Sequence, residues 1–215
     1  MKVFLVEDHP IFRRGLCDLL EEEEDLEVCG EAEDVGTALE AIGRTQPDVV
    51  LVDISLKGRN GLELVKILHG SDPGLPILMI STHEENLYAE RSLRAGARGY
   101  VMKHETADSI VSAVREVVAG RVWVSPRVAS TLLARTVGEA VAPTGPPEER
   151  LSDRELEVLA LFGQGLTTKE VSDRLSLSHK TIGTYRERLK EKLGLRNSAE
   201  LLRHAVRWLE QRGGR

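Results

Sequence analysis

The chain has 215 residues, 41% hydrophobic and 30% charged, with a net charge of −6. That balance excludes a disordered chain, and the length suits two ordinary domains. No apolar run approaches the roughly 18 residues of a membrane span, and the first residues lack the basic start and long apolar stretch of a secretory signal, so a cytoplasmic protein is expected. Charge is uneven: residues 1–120 hold 12 Lys/Arg against 23 Asp/Glu, whereas residues 151–215 hold 13 against 9. An acidic front and a basic rear imply two modules, the rear being the candidate for a polyanion. Cys17 and Cys29 lie in apolar segments without a CxxC spacing or a nearby His, and read as buried free thiols.

In chain order, short runs rich in Val, Ile and Leu occupy 2–6, 27–31, 48–52, 76–80 and 99–102. Helical spacing marks 10–22, 35–45, 61–69, 84–95 and 106–119; in the last, Ile110, Ala113, Val114 and Val117 recur at i, i+3, i+4, i+7. Pro47 stops one helix and Pro76 opens the fourth strand. Five strands alternating with five helices predict an α/β fold, a doubly wound five-stranded parallel sheet covered on both faces. "EEEED" (21–25) reads as a solvated helix end and "GRNG" (58–61) as a turn.

"GRVWVSPRVASTLLAR" then suggests a turn and a short helix that close the first domain, with Trp123 as a packing residue. "TVGEAVAPTGPPEER" (136–150) carries three of the eight prolines and reads as a linker. Residues 151–215 predict a smaller all-α domain with helices near 153–163, 168–175, 179–193 and 198–211. "SDRE" and "TTKE" fit capping boxes, "NSAE" has the same shape with Asn as cap, and Gly194 suits a helix C-terminus. The expected domains are 1–120, a linker with a short helix over 121–150, and 151–215.

In a doubly wound sheet, ligands bind beyond the carboxyl ends of the strands. Strand 1 ends in Glu7 and Asp8, strand 3 in Asp53, strand 4 in Ser81 and strand 5 in Lys103. Three gathered carboxylates repel, and a divalent cation removes that cost. Mg²⁺ takes oxygen ligands and accepts phosphate oxygens, while Ser81 and Lys103 suit the remaining oxygens of a phosphoryl group. The rim therefore points to a phosphoryl group held with its metal.

With "VEDH", "VLVD" (50–53), "NGLEL" (60–64), "LMIST" (78–82) and "GYVMK" (99–103), residues 1–120 resemble the flavodoxin-like receiver domain of two-component response regulators. The resemblance implies Asp53 as phosphoacceptor and Mg²⁺ held by Glu7, Asp8, Asp53 and the backbone carbonyl of Ser55. It implies Ser81 and Tyr100 as switch residues, Tyr100 turning inward on phosphorylation, and Lys103 as the phosphate-pairing cation. Lys57 and His104 stand where receivers often carry proline. The second departure argues against a cis peptide, which costs about 3 kcal/mol without proline.

"TTKEVSDRLSLSHKTIGTYRERLKEKL" has the pattern of a helix-turn-helix: Val171, Leu175, Leu177, Ile182 and Leu189 form a packed face. His179, Lys180, Thr181, Thr184, Tyr185, Arg186, Arg188 and Lys192 are expected on the opposite side of the second helix, for a major groove. Lys180, Thr181 and Thr184 are candidates for base contact; Arg186, Arg188 and Lys192 for phosphate contact. Backbone N–H groups at Thr181 and its neighbours offer a further phosphate site. "LSDRELEVLAL", "GLTTKEVSDRLSLSHKTI" and "KLGLRNSAEL" are similar to the LuxR-type module of the NarL/FixJ class, with Gly183 and Tyr185 replacing a common basic residue and His. The resemblance implies a non-enzymatic transcriptional regulator: a sensor histidine kinase phosphorylates Asp53, and that controls homodimerisation and promoter binding. Two alternatives are a DNA-binding regulator with a phosphorylation-independent receiver and a Mg²⁺-dependent phosphohydrolase. Such hydrolases often carry a second carboxylate where this chain has Ser55.

Overall fold

The computed structural model describes residues 1–57, 59–82, 85–136 and 147–213. Contacts divide the chain into two compact units, Met1–Gly138 and Glu139–Arg215. The first holds β1 (Lys2–Val6), β2 (Glu27–Ala32), β3 (Val49–Asp53), β4 (Ile77–Ser81) and β5 (Gly99–Met102). Its helices are α1 (Pro10–Glu21), α2 (Val35–Thr45), α3 (Gly61–Ser71), α4 (Glu85–Ala95), α5 (Ala107–Val118) and α6 (Pro126–Thr136).

All neighbouring strands pair in parallel, in the order β2-β1-β3-β4-β5. Every residue of β3 and β4 is buried, which is why they read as continuous apolar runs rather than alternating ones. On one face, Leu16 and Leu20 of α1 and Ile110, Val114 and Val117 of α5 pack against Val3, Leu5 and Leu51. The winding reverses between β1 and β3, which places Val6 and Asp53 beside the switch-point crevice. Asp48 lies just before β3 and ties it to β1: the Lys2 N–H donates to Asp48 Oδ2 at 2.7 Å, and the Asp48 N–H donates to Lys2 O at 2.9 Å.

Beyond α5 the structure adds a feature with no strand signal in the sequence. Trp123 forms an isolated parallel bridge with Gly99. The Tyr100 N–H donates to Trp123 O (2.8 Å) and the Trp123 N–H donates to Arg98 O (3.0 Å). The Ser125 N–H then donates to Glu85 Oε1 of α4 at 2.7 Å, and Val128 of α6 is buried. Residues 121–136, lying beyond the expected bound at 120 but read as a turn and short helix that close the first domain, pack within the first unit, because β5 otherwise leaves an unpaired edge. The expected linker stretch 137–146 lies outside the described residues.

The second unit holds a 3-10 turn (Pro147–Arg150) followed by α7 (Asp153–Gly163), α8 (Thr168–Arg174), α9 (His179–Leu193) and α10 (Ser198–Gly213). Both expected capping boxes form, at Ser152/Glu155 and Thr167/Glu170, and each box typically contributes about 1 kcal/mol. At Asn197 the cap forms, but Glu200 reaches back to the Arg196 N–H (2.8 Å) instead of completing the box on Asn197. Gly194 ends α9 at φ +67°, a left-handed conformation that suits glycine. Helix α7 is buried along Arg154–Phe162. Inside it, Arg154 Nη1 pairs with Glu157 at 2.8 Å and Nη2 donates to Leu175 O at 3.1 Å, satisfying the end of α8.

Candidate functional site

The carboxyl ends of β1, β3, β4 and β5 bring the acidic rim together. Glu7 follows β1, is 1% exposed, and its N–H continues the sheet by donating to Ala32 O (3.0 Å). Asp53 ends β3 at 2% exposed, and Ser81 ends β4 fully buried. Lys103 follows β5, its N–H donating to Ser81 O at 2.8 Å. Its ammonium reaches across the sheet end to donate to Glu7 Oε2 (2.6 Å) and Asp53 Oδ2 (2.9 Å). One oxygen from each of Glu7, Asp8 and Asp53 and a ring nitrogen of His9 lie within 4.8 Å of one another.

One ammonium does not balance three carboxylates. Burial pushes the Asp53 carboxyl up to about 7, against the pull of Lys103 and with a further push from Glu7. Burial also raises Asp8, against the pull of His9. Asp8 Oδ1 lies 2.9 Å from His9 Nδ1, but the angle makes no hydrogen bond, and this buried oxygen accepts none. An orphaned carboxylate oxygen in a cluster of net negative charge is the donor set of a hard divalent cation. The residues present thus fit Mg²⁺.

The acceptor loop is held from below. Ser55 bridges Asn60, the Gly61 N–H donates to Ile54 O at 2.7 Å, and the buried Asn60 side chain caps α3 through the Leu62 N–H (2.9 Å). A Cβ on Gly61 would stand 1.9 Å from the carbonyl oxygen of Asp53. Phe12 of α1 lies under Lys103, its ring centroid 4.5 Å from Nζ. Sequence reasoning gave no role to His9, Phe12, Asn60 or Gly61. The N-G pair at a helix start and Phe12 at i+4 from Asp8 were the available signals.

One expectation changes. The Tyr100 ring is already inside, 1% exposed, at a β5 position paired in register with Met79. The inward turn expected on phosphorylation is therefore not a change open to this conformation. Lys57, at a departure from the family pattern, pairs with Glu33 at 2.8 Å. No cis peptide occurs among the described residues.

In the second unit, α8, a turn through Ser176 and α9 form the helix-turn-helix, with Val171, Leu175, Ile182 and Leu189 buried as expected and Leu177, in the turn, only half-buried. His179, Lys180, Thr184, Arg188 and Lys192 are exposed, and Thr181 and Tyr185 are half-buried. Arg186 is half-buried too, and four residues from Ile182 its side chain turns to the neighbouring helices. It donates to Thr168 Oγ1 (2.9 Å) and lies 5.7 Å from the Phe162 ring centroid. Lys192 pairs with Glu155 at 2.6 Å. The Thr181 N–H, expected to be open to a phosphate, donates to Ser178 Oγ at 3.0 Å as the helix cap.

The comparisons agree with both units. A family model for the response regulator receiver domain matches residues 3–115, and one for bacterial regulatory proteins of the luxR family matches residues 149–205. The DNA-binding transcriptional activator DevR/DosR of Mycobacterium tuberculosis is 38% identical, over 91% of this chain and 89% of that protein. The response regulator GacA of Pseudomonas aeruginosa is 34% identical over 96% of both. Among solved structures, RcsB of Salmonella enterica serovar Typhimurium, bound to promoter rprA with the phosphomimetic BeF3⁻, is 26% identical. It covers 96% of this chain and 98% of its own, at a TM-score of 0.61. The chain belongs to the DNA-binding transcriptional response regulators that join a receiver domain to a LuxR-type helix-turn-helix.

Proposed function

We propose that Asp53 accepts a phosphoryl group from a partner sensor histidine kinase, and that this controls promoter binding by the second unit. The carrying observation is the meeting of Glu7, Asp8 and Asp53 around Lys103 with one buried Asp8 oxygen unsatisfied. Glu7, Asp8, Asp53 and the Ser55 carbonyl would hold Mg²⁺, which when bound offsets the charge of an incoming phosphoryl group. Lys103 orients the Asp53 carboxylate and supplies a fixed cation beside it. Phe12 keeps that ammonium over its ring, and the Asn60–Gly61 brace fixes the loop bearing Ser55. Ser81, buried at the end of β4, stands as the switch hydroxyl. Charge added at Asp53 draws Ser81 and Lys103 toward it and biases the surface of α4, β5 and α5, where Tyr100 lies.

In the second unit, α9 enters the major groove, with Lys180, Thr181 and Thr184 near bases and Arg188 on phosphate. His179 and Tyr185 flank them. The DNA-bound RcsB structures, one of them on promoter rprA, support duplex DNA as the ligand. A homodimer reading two half-sites is supported by α10, whose Leu202 is 45% exposed. The test is DNA binding with and without acetyl phosphate and Mg²⁺, on wild type and Asp53→Asn. Stimulation in wild type alone is expected; equal stimulation in both proteins contradicts the proposal.

A further inference from the structure

Lys190 of α9 pairs within the helix with Glu187 at 2.8 Å, and the other four cations fall into two sets. Lys180 and Arg188 are exposed, and among the described residues their charged side-chain groups show no hydrogen-bond or ion-pair partner. Arg186 and Lys192 are already engaged, and by different helices. Arg186 sits four residues after Ile182 and three before Leu189, both fully buried, so its guanidinium is carried toward the interior. There it donates to Thr168 at the start of α8 and lies over Phe162 of α7.

Lys192 makes the second tie, two turns on. Its ammonium meets Glu155 Oε2 at 2.6 Å, and the same oxygen accepts the Ser152 N–H at 2.8 Å. Glu155 is only 3% exposed. Burial alone would raise its carboxyl, but Lys192 and the Ser152 N–H outweigh that and hold it below the usual range. Were Lys192 to leave for a DNA phosphate, Glu155 would remain buried, charged and unpaired beside a polyanion, which is strongly unfavourable. The two ties lie on either side of Leu189, so together they fix both the roll and the tilt of α9.

We propose that Arg186 and Lys192 are positioning residues: they set α9 against α7 and α8, so that Lys180, Thr184 and Arg188 face the groove, and neither contacts a phosphate. This rests on the reading of α9 as the DNA-binding helix. It replaces the expectation, drawn from charge alone, that both cations meet the DNA backbone.

Salt dependence separates the two roles, because each neutralised phosphate contributes about −0.9 to the slope of log affinity against log salt. The full-length protein is titrated with a duplex selected from genomic fragments on wild type, and with a scrambled duplex, across a salt series. Lys192→Met and Arg186→Met should leave the salt slope unchanged. They should lower the preference for the selected duplex about tenfold, roughly the effect of losing one base contact. A mere loss of folded protein would weaken both duplexes equally. Glu155→Gln should reproduce Lys192→Met, the double variant should be no worse than either, and Lys192→Arg should restore the preference. If Lys192→Met does not fold, Glu155→Gln and Lys192→Arg carry the same test. A slope flatter by about 0.9 in Lys192→Met or Arg186→Met, or no change in preference, overturns the proposal. Arg188→Ala should flatten the slope while keeping the preference; if it alters neither, the reading of α9 itself fails.

Discussion

Gly61→Ala would put a methyl carbon 1.9 Å from the carbonyl oxygen of Asp53, 2.9 Å from its carbonyl carbon and 3.1 Å from Val52 Cγ1. Ordinary contact begins near 3.4 Å, so the acceptor loop and the start of α3 must separate by about 1.5 Å. Overpacking of this kind costs about 1–3 kcal/mol. The Gly61 N–H to Ile54 O bond at 2.7 Å would also stretch, adding about 1 kcal/mol. A total of about 2–4 kcal/mol is expected, read by urea denaturation. The same shift displaces Asp53, and a misplacement near 1 Å can slow a reaction about a hundredfold, so the initial rate of phosphoryl uptake from acetyl phosphate should fall steeply. Gly15→Ala is the control. Gly15 is exposed inside α1 with nothing within 4 Å of a Cβ, so alanine there should stabilise by about 0.5–1 kcal/mol. Wild-type stability and wild-type uptake in Gly61→Ala would refute the close-approach argument.

Lys103→Met leaves Glu7 and Asp53 buried without their shared cation. It should cost about 3 kcal/mol in thermal or urea unfolding, with much of the loss recovered in millimolar Mg²⁺; equal loss with and without Mg²⁺ would contradict the cation site. Glu155 is held below its usual range when folded, so in acid the unfolded chain takes up that proton first. The stability Glu155 contributes is full above the unfolded pKa, about 4.3, and is lost as pH falls through the folded value. Fluorescence of Trp208, buried in α10 of the same unit, in a Trp123→Phe background should report this loss, diminished in Glu155→Gln. The Cys17 thiol is pushed up to about 11 by burial and by Glu31, and burial raises Cys29 as well. Neither should react quickly with a disulfide reagent at pH 8 until urea is added.

The strands were legible because a parallel sheet buried on both faces leaves unbroken runs such as "VVLVD" and "ILMIS", and the rim because each functional residue directly follows one. The helices of the second unit were legible from their caps, which are local. The remaining features depend on contacts distant in sequence. Trp123 reads as loop because the single bridge it forms depends on the edge of β5, far back in sequence. Arg186 and Lys192 read as DNA contacts because a cation on a helix carries no mark of what lies behind it. The acids that bind it, or the ring beneath it, come from other helices. Tyr100 lies in β5 as its apolar run implies, but which way its ring points is decided by packing.

The most direct measurement is the intact mass of the protein after incubation with acetyl phosphate. With Mg²⁺ present, wild type should gain a single phosphoryl increment, lost when Mg²⁺ is chelated and absent in Asp53→Asn. An increment that persists in Asp53→Asn, or one that forms equally well without Mg²⁺, would contradict the acidic cluster as a metal-supported phosphoryl site.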